Sequence, residues 1–239
     1  MESSLGVVED KYRFTLEGEQ ENDTKWRFGK RPNYDVVNKL FEEGRTKIWP
    51  AGSVEEKVQN LVKSWEAEII HKTRLEDFKT IDTEKYTFSL NGRKAMNMKD
   101  IAALGGGYNP QLQTALPKEL RFYDPDVETA VSSHNAFTTT FPRGFAVEIL
   151  QVYSGPPVIV YKFRHWGYME GPFKGHAPTE ELVEFFGMGI LELNEEMKIV
   201  KVELFYDRGE LLGGLLKGAN IDSSAEMGAS ACPVLGNTG

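Results

Sequence analysis

The sequence predicts an α+β protein in which N-terminal helices pack on a bent antiparallel sheet. Three observations carry that expectation. Residues 53–72 spell one long amphipathic helix. Residues 145–207 hold four β-like segments joined by short turns, the pattern of an antiparallel meander. Gly187 and Gly189 interrupt the third segment, which predicts a sharp bend or bulge there. A sheet that bends strongly against helices tends to enclose a cavity.

Taken in order, residues 1–30 are polar and include the acidic run Glu17-Gly18-Glu19-Gln20-Glu21-Asn22-Asp23. They read as a flexible arm without a core of its own, with Trp26 and Phe28 able to pin it to the domain. A short helix is expected from Asn33, with Val37, Leu40 and Phe41 on one face and Gly44 as C-cap. In the next helix Ser53 and Glu56 have capping-box spacing. Val54, Val58, Leu61, Val62, Trp65 and Ile69 form its apolar stripe, and His71, at its end, is expected to face solvent near the favourable helix dipole.

Leu75 to Ile81 is expected to hold a short second helix, and Tyr86 to Leu90 a strand closed by Asn91-Gly92. Asn97 opens a helix to Leu104. Gly105-Gly106-Gly107 then resembles a phosphate loop in composition alone: it follows a helix, whereas a phosphate cradle lies between a strand and a helix N-terminus. Residues 108–143 are rich in Pro, Thr and Asp, carry no clear period, and include His134. The four β segments run from Phe145 to Tyr153, Val158 to Met169, Glu180 to Leu193 and Lys198 to Asp207. In the first, Glu148 opposes the apolar Val147 and Ile149. In the second, Tyr161, Phe163 and His165 share one face, and Lys162, Arg164 and Trp166 the other; the sequence leaves open which faces inward. The domain is expected over 31–218, and the small, polar residues 219–239 read as a disordered tail with Cys232 as an exposed thiol.

The 239-residue chain is 40% hydrophobic and 27% charged, with a net charge of −8. A chain this long buries a sizeable core unaided. Its acidity argues against nucleic-acid or anionic-membrane binding, which needs clustered Lys and Arg. One cysteine rules out an internal disulfide and fits a reducing compartment. No apolar run approaches the roughly 20 residues of a membrane-spanning helix, and no secretory signal is visible; a soluble, cytoplasmic protein is the expectation. Four dispersed histidines lack ligand spacing for a metal, there is no nucleophile elbow, and no cofactor is expected.

The motifs Arg164-His165-Trp166-Gly167, Gly175-His176-Ala177-Pro178-Thr179 and Tyr206-Asp207 followed by Leu211-Leu212-Gly213 resemble the SnoaL-like polyketide-cyclase branch of the nuclear-transport-factor-two-like superfamily. Trp49-Pro50-Ala51-Gly52-Ser53, Gly106-Gly107-Tyr108-Asn109-Pro110 and the run Tyr153 to Trp166 are similar to the plant pathogen-related protein family. The resemblance implies a cone: a curved antiparallel sheet packed on N-terminal helices around one apolar pocket. It implies that Asp207 is an acid/base at the pocket mouth, with His165 or His176 as its helper; for Asp207 an ion pair or a cap on the closing turn weighs evenly against that role. His165 is equally readable as a buried structural histidine. Tyr161, Trp166, Tyr168, Glu170, His176, Phe205 and His134 are the ligand-binding candidates, with Trp166, Phe185, Phe186, Met188 and Phe205 expected mainly in the core.

Three functions compete. One is a binder of an apolar plant metabolite in defence or specialised metabolism, with a membrane-bound biosynthetic oxidase as its partner. Another is a cofactor-free cyclase or isomerase using Asp207 and a His. The third is an interaction module forming a homodimer through the outer sheet face.

Overall fold

The computed structural model describes residues 10–14 and 24–221. The tail with Cys232 and most of the N-terminal arm lie outside the described residues. The helices are α1 (Asp35–Gly44), α2 (Val54–His71), α3 (Met98–Ala103), α4 (Ala130–Thr140) and α5 (Arg208–Leu215). The strands are β1 (Thr87–Leu90), β2 (Met96–Asn97), β3 (Ala146–Ser154), β4 (Val158–Tyr168), β5 (Leu182–Leu193) and β6 (Ile199–Tyr206). Among the described residues no helix is long and apolar enough to cross a membrane.

The architecture is α+β: one curved, unclosed sheet with helices against it. Its strand order is β2-β1-β6-β5-β4-β3. The meander expected over 145–207 is present as the antiparallel pairs β3–β4, β4–β5 and β5–β6. β1 joins the far edge in parallel with β6, a long-range pairing that no local turn could announce. Register shifts at Ile149/Gln151 and Val152/Ser154 bend β3.

Gly187 and Gly189 sit at ordinary ladder positions opposite Phe163 and Tyr161. A Cβ on Gly189 would lie 2.2 Å from the Tyr161 ring, and one on Gly187 would lie 2.4 Å from that of Phe163. The glycines therefore make room for two aromatic rings lying on the backbone, and the bulges fall elsewhere. The triple glycine is a packed exit from α3: all three residues have positive φ, and a Cβ on Gly105 or Gly107 would come within 2.8 Å of backbone atoms of residues 128 and 130.

α2 is capped as expected on one side only: Ser53 Oγ accepts from Glu56 N at 3.2 Å, while Glu56 Oε2 accepts from Gly52 N at 2.6 Å. Its apolar stripe packs Val58, Val62 and Trp65 into the main core with Tyr86, Phe88, Tyr161 and Phe163. A second cluster, Tyr12, Leu40, Phe41, Ala146 and Trp166, joins α1 to the sheet and is buried around Trp166. Gly44 serves that contact rather than a left-handed cap: its Cβ would meet Trp166 Nε1 at 2.7 Å, and the following cap residue, Arg45, is extended.

The outer face departs from the simple alternation. Glu148 is fully buried, not solvent-facing. The loop after α1 covers it, and its carboxylate accepts from Lys47 N at 2.6 Å and Thr46 Oγ1 at 3.1 Å. Conversely Phe186 and Phe205 are exposed, 48% and 40%, rather than core. Residues 75–81 form only a 3-10 turn, Leu75–Asp77. α4 and α5 arise where periodicity predicted no helix. α4 is held by a reciprocal cap between Thr129 and Ser132.

Candidate functional site

The inward face of β4 carries Phe163 and His165, and the outward face carries Arg164 and Trp166. Between that inward face, α1, α2 and α4 lies a cavity of about 460 Å³. Strands β3 to β6 line it with Val147, His165, Phe185 and Tyr206, and Phe145 joins them from just before β3; α4 adds His134 and Phe137, with Phe141 as its C-cap. α2 adds Lys63, Glu66, Ile70 and His71, and Arg13, Phe28, residues 30–34, Val36 and Val37 form a further part of the wall. Lys63, Glu66 and Ile70 recur at helical spacing, so one face of α2 points at the cavity, while the apolar stripe beside it packs on the sheet.

The polar centre of the cavity is a pair. Glu66 Oε1 lies 3.2 Å from His165 Nε2, with side-chain exposures of 24% and 16%. The His165 ring lies nearly parallel to those of Phe145 (5.5 Å, 11°) and Phe185 (5.3 Å, 15°), which are 5.9 Å from each other, so the three rings form a triangular cluster. These contacts fix the imidazole plane and aim Nε2 at the carboxylate. His165 Nδ1 is buried without a hydrogen-bond partner among the described residues, so this nitrogen has unused hydrogen-bonding capacity. Burial raises the pKa values of the Tyr108, Tyr161 and Tyr206 hydroxyls, and the negative charge of Glu66 pushes all three the same way. They stay neutral. Tyr206 Oη donates to the Gln111 carbonyl and closes one wall.

A second polar group sits at the end of α2. His71, expected in solvent, is 9% exposed. Its ring meets those of Phe28 at 5.3 Å, His134 at 5.5 Å and Tyr34 at 5.9 Å. Burial, then the neighbouring His134 and Arg27, lower its pKa to about 3. Phe28 lies flat on His134 at 4.0 Å, and burial lowers the pKa of His134 also. Both imidazoles are neutral near pH 7, a half-buried aromatic cluster in place of the dipole-stabilised cation expected at His71.

Of the residues singled out in the sequence, His165 and His134 line the cavity. Asp207 does not. It is exposed, and as N-cap of α5 its Oδ1 accepts from Gly209 N at 2.7 Å: the capping alternative describes its contacts. Tyr161 is 1% exposed within the core, and Trp166 is buried on the opposite sheet face against α1. Tyr168 and Glu170 lie behind Arg143, which lines the cavity: the guanidinium stands 4.5 Å over the Tyr168 ring and pairs with Glu170 at 2.7 Å. His176 is in the loop after β4, its Nδ1 3.0 Å from the Gly218 carbonyl, and Phe205 is on the outer face. Sequence reasoning missed Glu66, Lys63, His71 and Phe28. Ile70 was the available signal, an apolar residue sharing a face with Lys63 and Glu66 that otherwise reads as solvated. Among the described residues no cluster of three or more His, Cys, Asp or Glu side chains is placed to hold a metal ion.

No family model matches the chain. It is 52% identical over 228 residues, 95% of either chain, to the "Pathogen-related protein" of Hordeum vulgare. Among solved structures it is similar to a protein named a SnoaL-like polyketide cyclase from Jannaschia sp. CCS1 (13% identity, TM-score 0.36, covering 90% of this chain and 100% of that one). It is also similar to a protein with a ketosteroid isomerase-like fold from Catenulispora acidiphila (13% identity, TM-score 0.35, covering 65% and 91%). At these scores neither structure bears on function.

Proposed function

Because this chain belongs to the plant pathogen-related protein family, we propose that it is a pocket protein holding one apolar small molecule of plant defence or specialised metabolism. The observation that carries this reading is the aromatic-walled cavity of about 460 Å³ with a Glu66–His165 pair in its wall. Ligand sites commonly measure about 300–1,000 Å³, are mostly apolar, and carry a few polar groups that fix orientation. The aromatic walls supply dispersion and area burial, and the pair supplies one charged or hydrogen-bonding anchor. Passing the held molecule to a membrane-bound oxidase is the finer form of this role.

The unpartnered His165 Nδ1 favours a second reading, proton transfer on a bound enolisable molecule. There Glu66 orients and charge-balances His165, which moves the proton. Glu66 and His165 replace Asp207 in that role, since Asp207 is committed to its cap.

Filling the cavity tests the main reading. Val147 lines it and is 5% exposed. Val147→Trp is expected to weaken an apolar fluorescent probe, anilinonaphthalene sulfonate, at least about tenfold, or 1.4 kcal/mol. Phe205→Ala, on the outer face, should leave binding unchanged. Equal binding by the wild type and by a folded Val147→Trp variant would place the probe outside the cavity and sink the proposal.

A further inference from the structure

Lys63 is the buried reactive group that neither reading uses. It projects from α2 into the cavity and is 2% exposed. Its Nζ stands 3.1 Å over the Phe41 ring centroid and 4.2 Å from that of Tyr12. Among the described residues it forms no ion pair. Arg13, itself 6% exposed, lines the same part of the cavity, its guanidinium 3.6 Å over the Tyr34 ring and paired with Asp10 at 3.0 Å. Glu66 follows Lys63 by three residues on the same helix face.

We propose that Lys63 captures carbonyl compounds: the cavity takes an apolar aldehyde or ketone and holds it as a reversible imine on Lys63 Nζ. This rests on the reading of the cavity as an apolar ligand site. A lysine becomes a nucleophile when its ammonium is desolvated in an apolar pocket or placed beside another cation. Lys63 meets both conditions. Burial first, and then Arg13, hold its pKa well below the ordinary lysine value; Asp10, Glu66 and Glu42 oppose them. The bond changes need no oxidant or reductant. The Nζ lone pair attacks the carbonyl carbon, and the C=O π electrons move to oxygen. The two amine hydrogens then pass to that oxygen, with the Glu66 carboxylate as the shuttle. Water leaves as the C=N bond forms. The apolar wall retards the reverse hydrolysis by excluding water, while exposed lysines, protonated near neutrality, do not compete.

The test uses the full chain with one equivalent of 2-naphthaldehyde and sodium cyanoborohydride at pH 7, followed by peptide mass mapping. The cyanoborohydride supplies the hydride that fixes the imine as a secondary amine. The expected result is one adduct, mapped to Lys63, at ten times or more the yield at any other lysine. Lys63→Met and Lys63→Arg should abolish it. Site mapping on the wild type stands alone should either variant fail to fold. In parallel, 2-naphthalenemethanol, which has the ring but no carbonyl, competes for the fluorescent probe. If the alcohol displaces the probe while the aldehyde marks exposed lysines and spares Lys63, imine capture is overturned and the pocket reading stands. If neither compound enters, both fall.

Discussion

Replacing Glu68 by alanine is expected to cost the fold about 3–5 kcal/mol, the range for breaking a buried ion pair by removing one partner. The carboxylate of Glu68 is fully buried on α2. It accepts from Lys72 Nζ at 2.8 Å, Lys79 N at 2.9 Å, and Thr80 N at 2.8 Å. Alanine would strip Lys72, also fully buried, of its carboxylate and leave two backbone N–H groups facing a void. The effect should spread to the sheet, because the Thr80 carbonyl receives the N–H of Ile199 at the start of β6 at 2.8 Å. Urea unfolding at pH 7 measures it. A loss below about 1 kcal/mol would mean that this network is solvated and worth no more than a surface pair.

The second large effect is acid sensitivity above the carboxylate range. In the unfolded chain His71 takes a proton near its ordinary value of 6.5; in the folded protein burial holds that value near 3. Between those values the unfolded state binds the extra proton, so stability falls as pH falls, by about 1.4 kcal/mol per unit. The contribution is fully present above about pH 6.5. From His71 alone, moving from pH 7 to pH 5 should cost about 2 kcal/mol. His134 shifts in the same direction and steepens the slope. His71→Leu should remove the greater part of this loss, read as the difference in urea midpoint between pH 7 and pH 5. An unchanged slope in His71→Leu would show that His71 is hydrated in the native state.

Much of this arrangement was legible in the residues. The alternation of residues 145–207 reports a local preference that the tertiary structure keeps, so the meander and its boundaries follow to within a few residues. The cap at Ser53 and the stripe from Val54 to Ile69 place α2 in the same way. The parallel pairing of β1 with β6 was not legible, because it joins segments more than 100 residues apart. Nor was α4: Ala130 to Thr140 is rich in Ser, Thr and Asn, poor helix formers, and its stability comes from the Thr129–Ser132 cap and from burying Phe137.

The site was harder to read for a physical reason. Sequence patterns separate apolar from polar faces, and a cavity reverses that logic by burying polar groups. Lys63, Glu66 and His71 thus read as solvated helix surface, while Asp207, a cap, read as evenly balanced between a cap and an acid/base. His165 was identified by its strand, but its partner Glu66 comes from a helix about 100 residues earlier. Only the folded chain brings the two together.

The most direct test of the pocket is where a bound apolar molecule sits. In a titration with 2-naphthalenemethanol followed by NMR, one equivalent should saturate the protein. Nuclear Overhauser contacts should then run from the naphthyl ring to the ring protons of Phe145, His165 and Phe185. Contacts confined to the exposed Phe186 and Phe205 would contradict it, as would binding that never saturates.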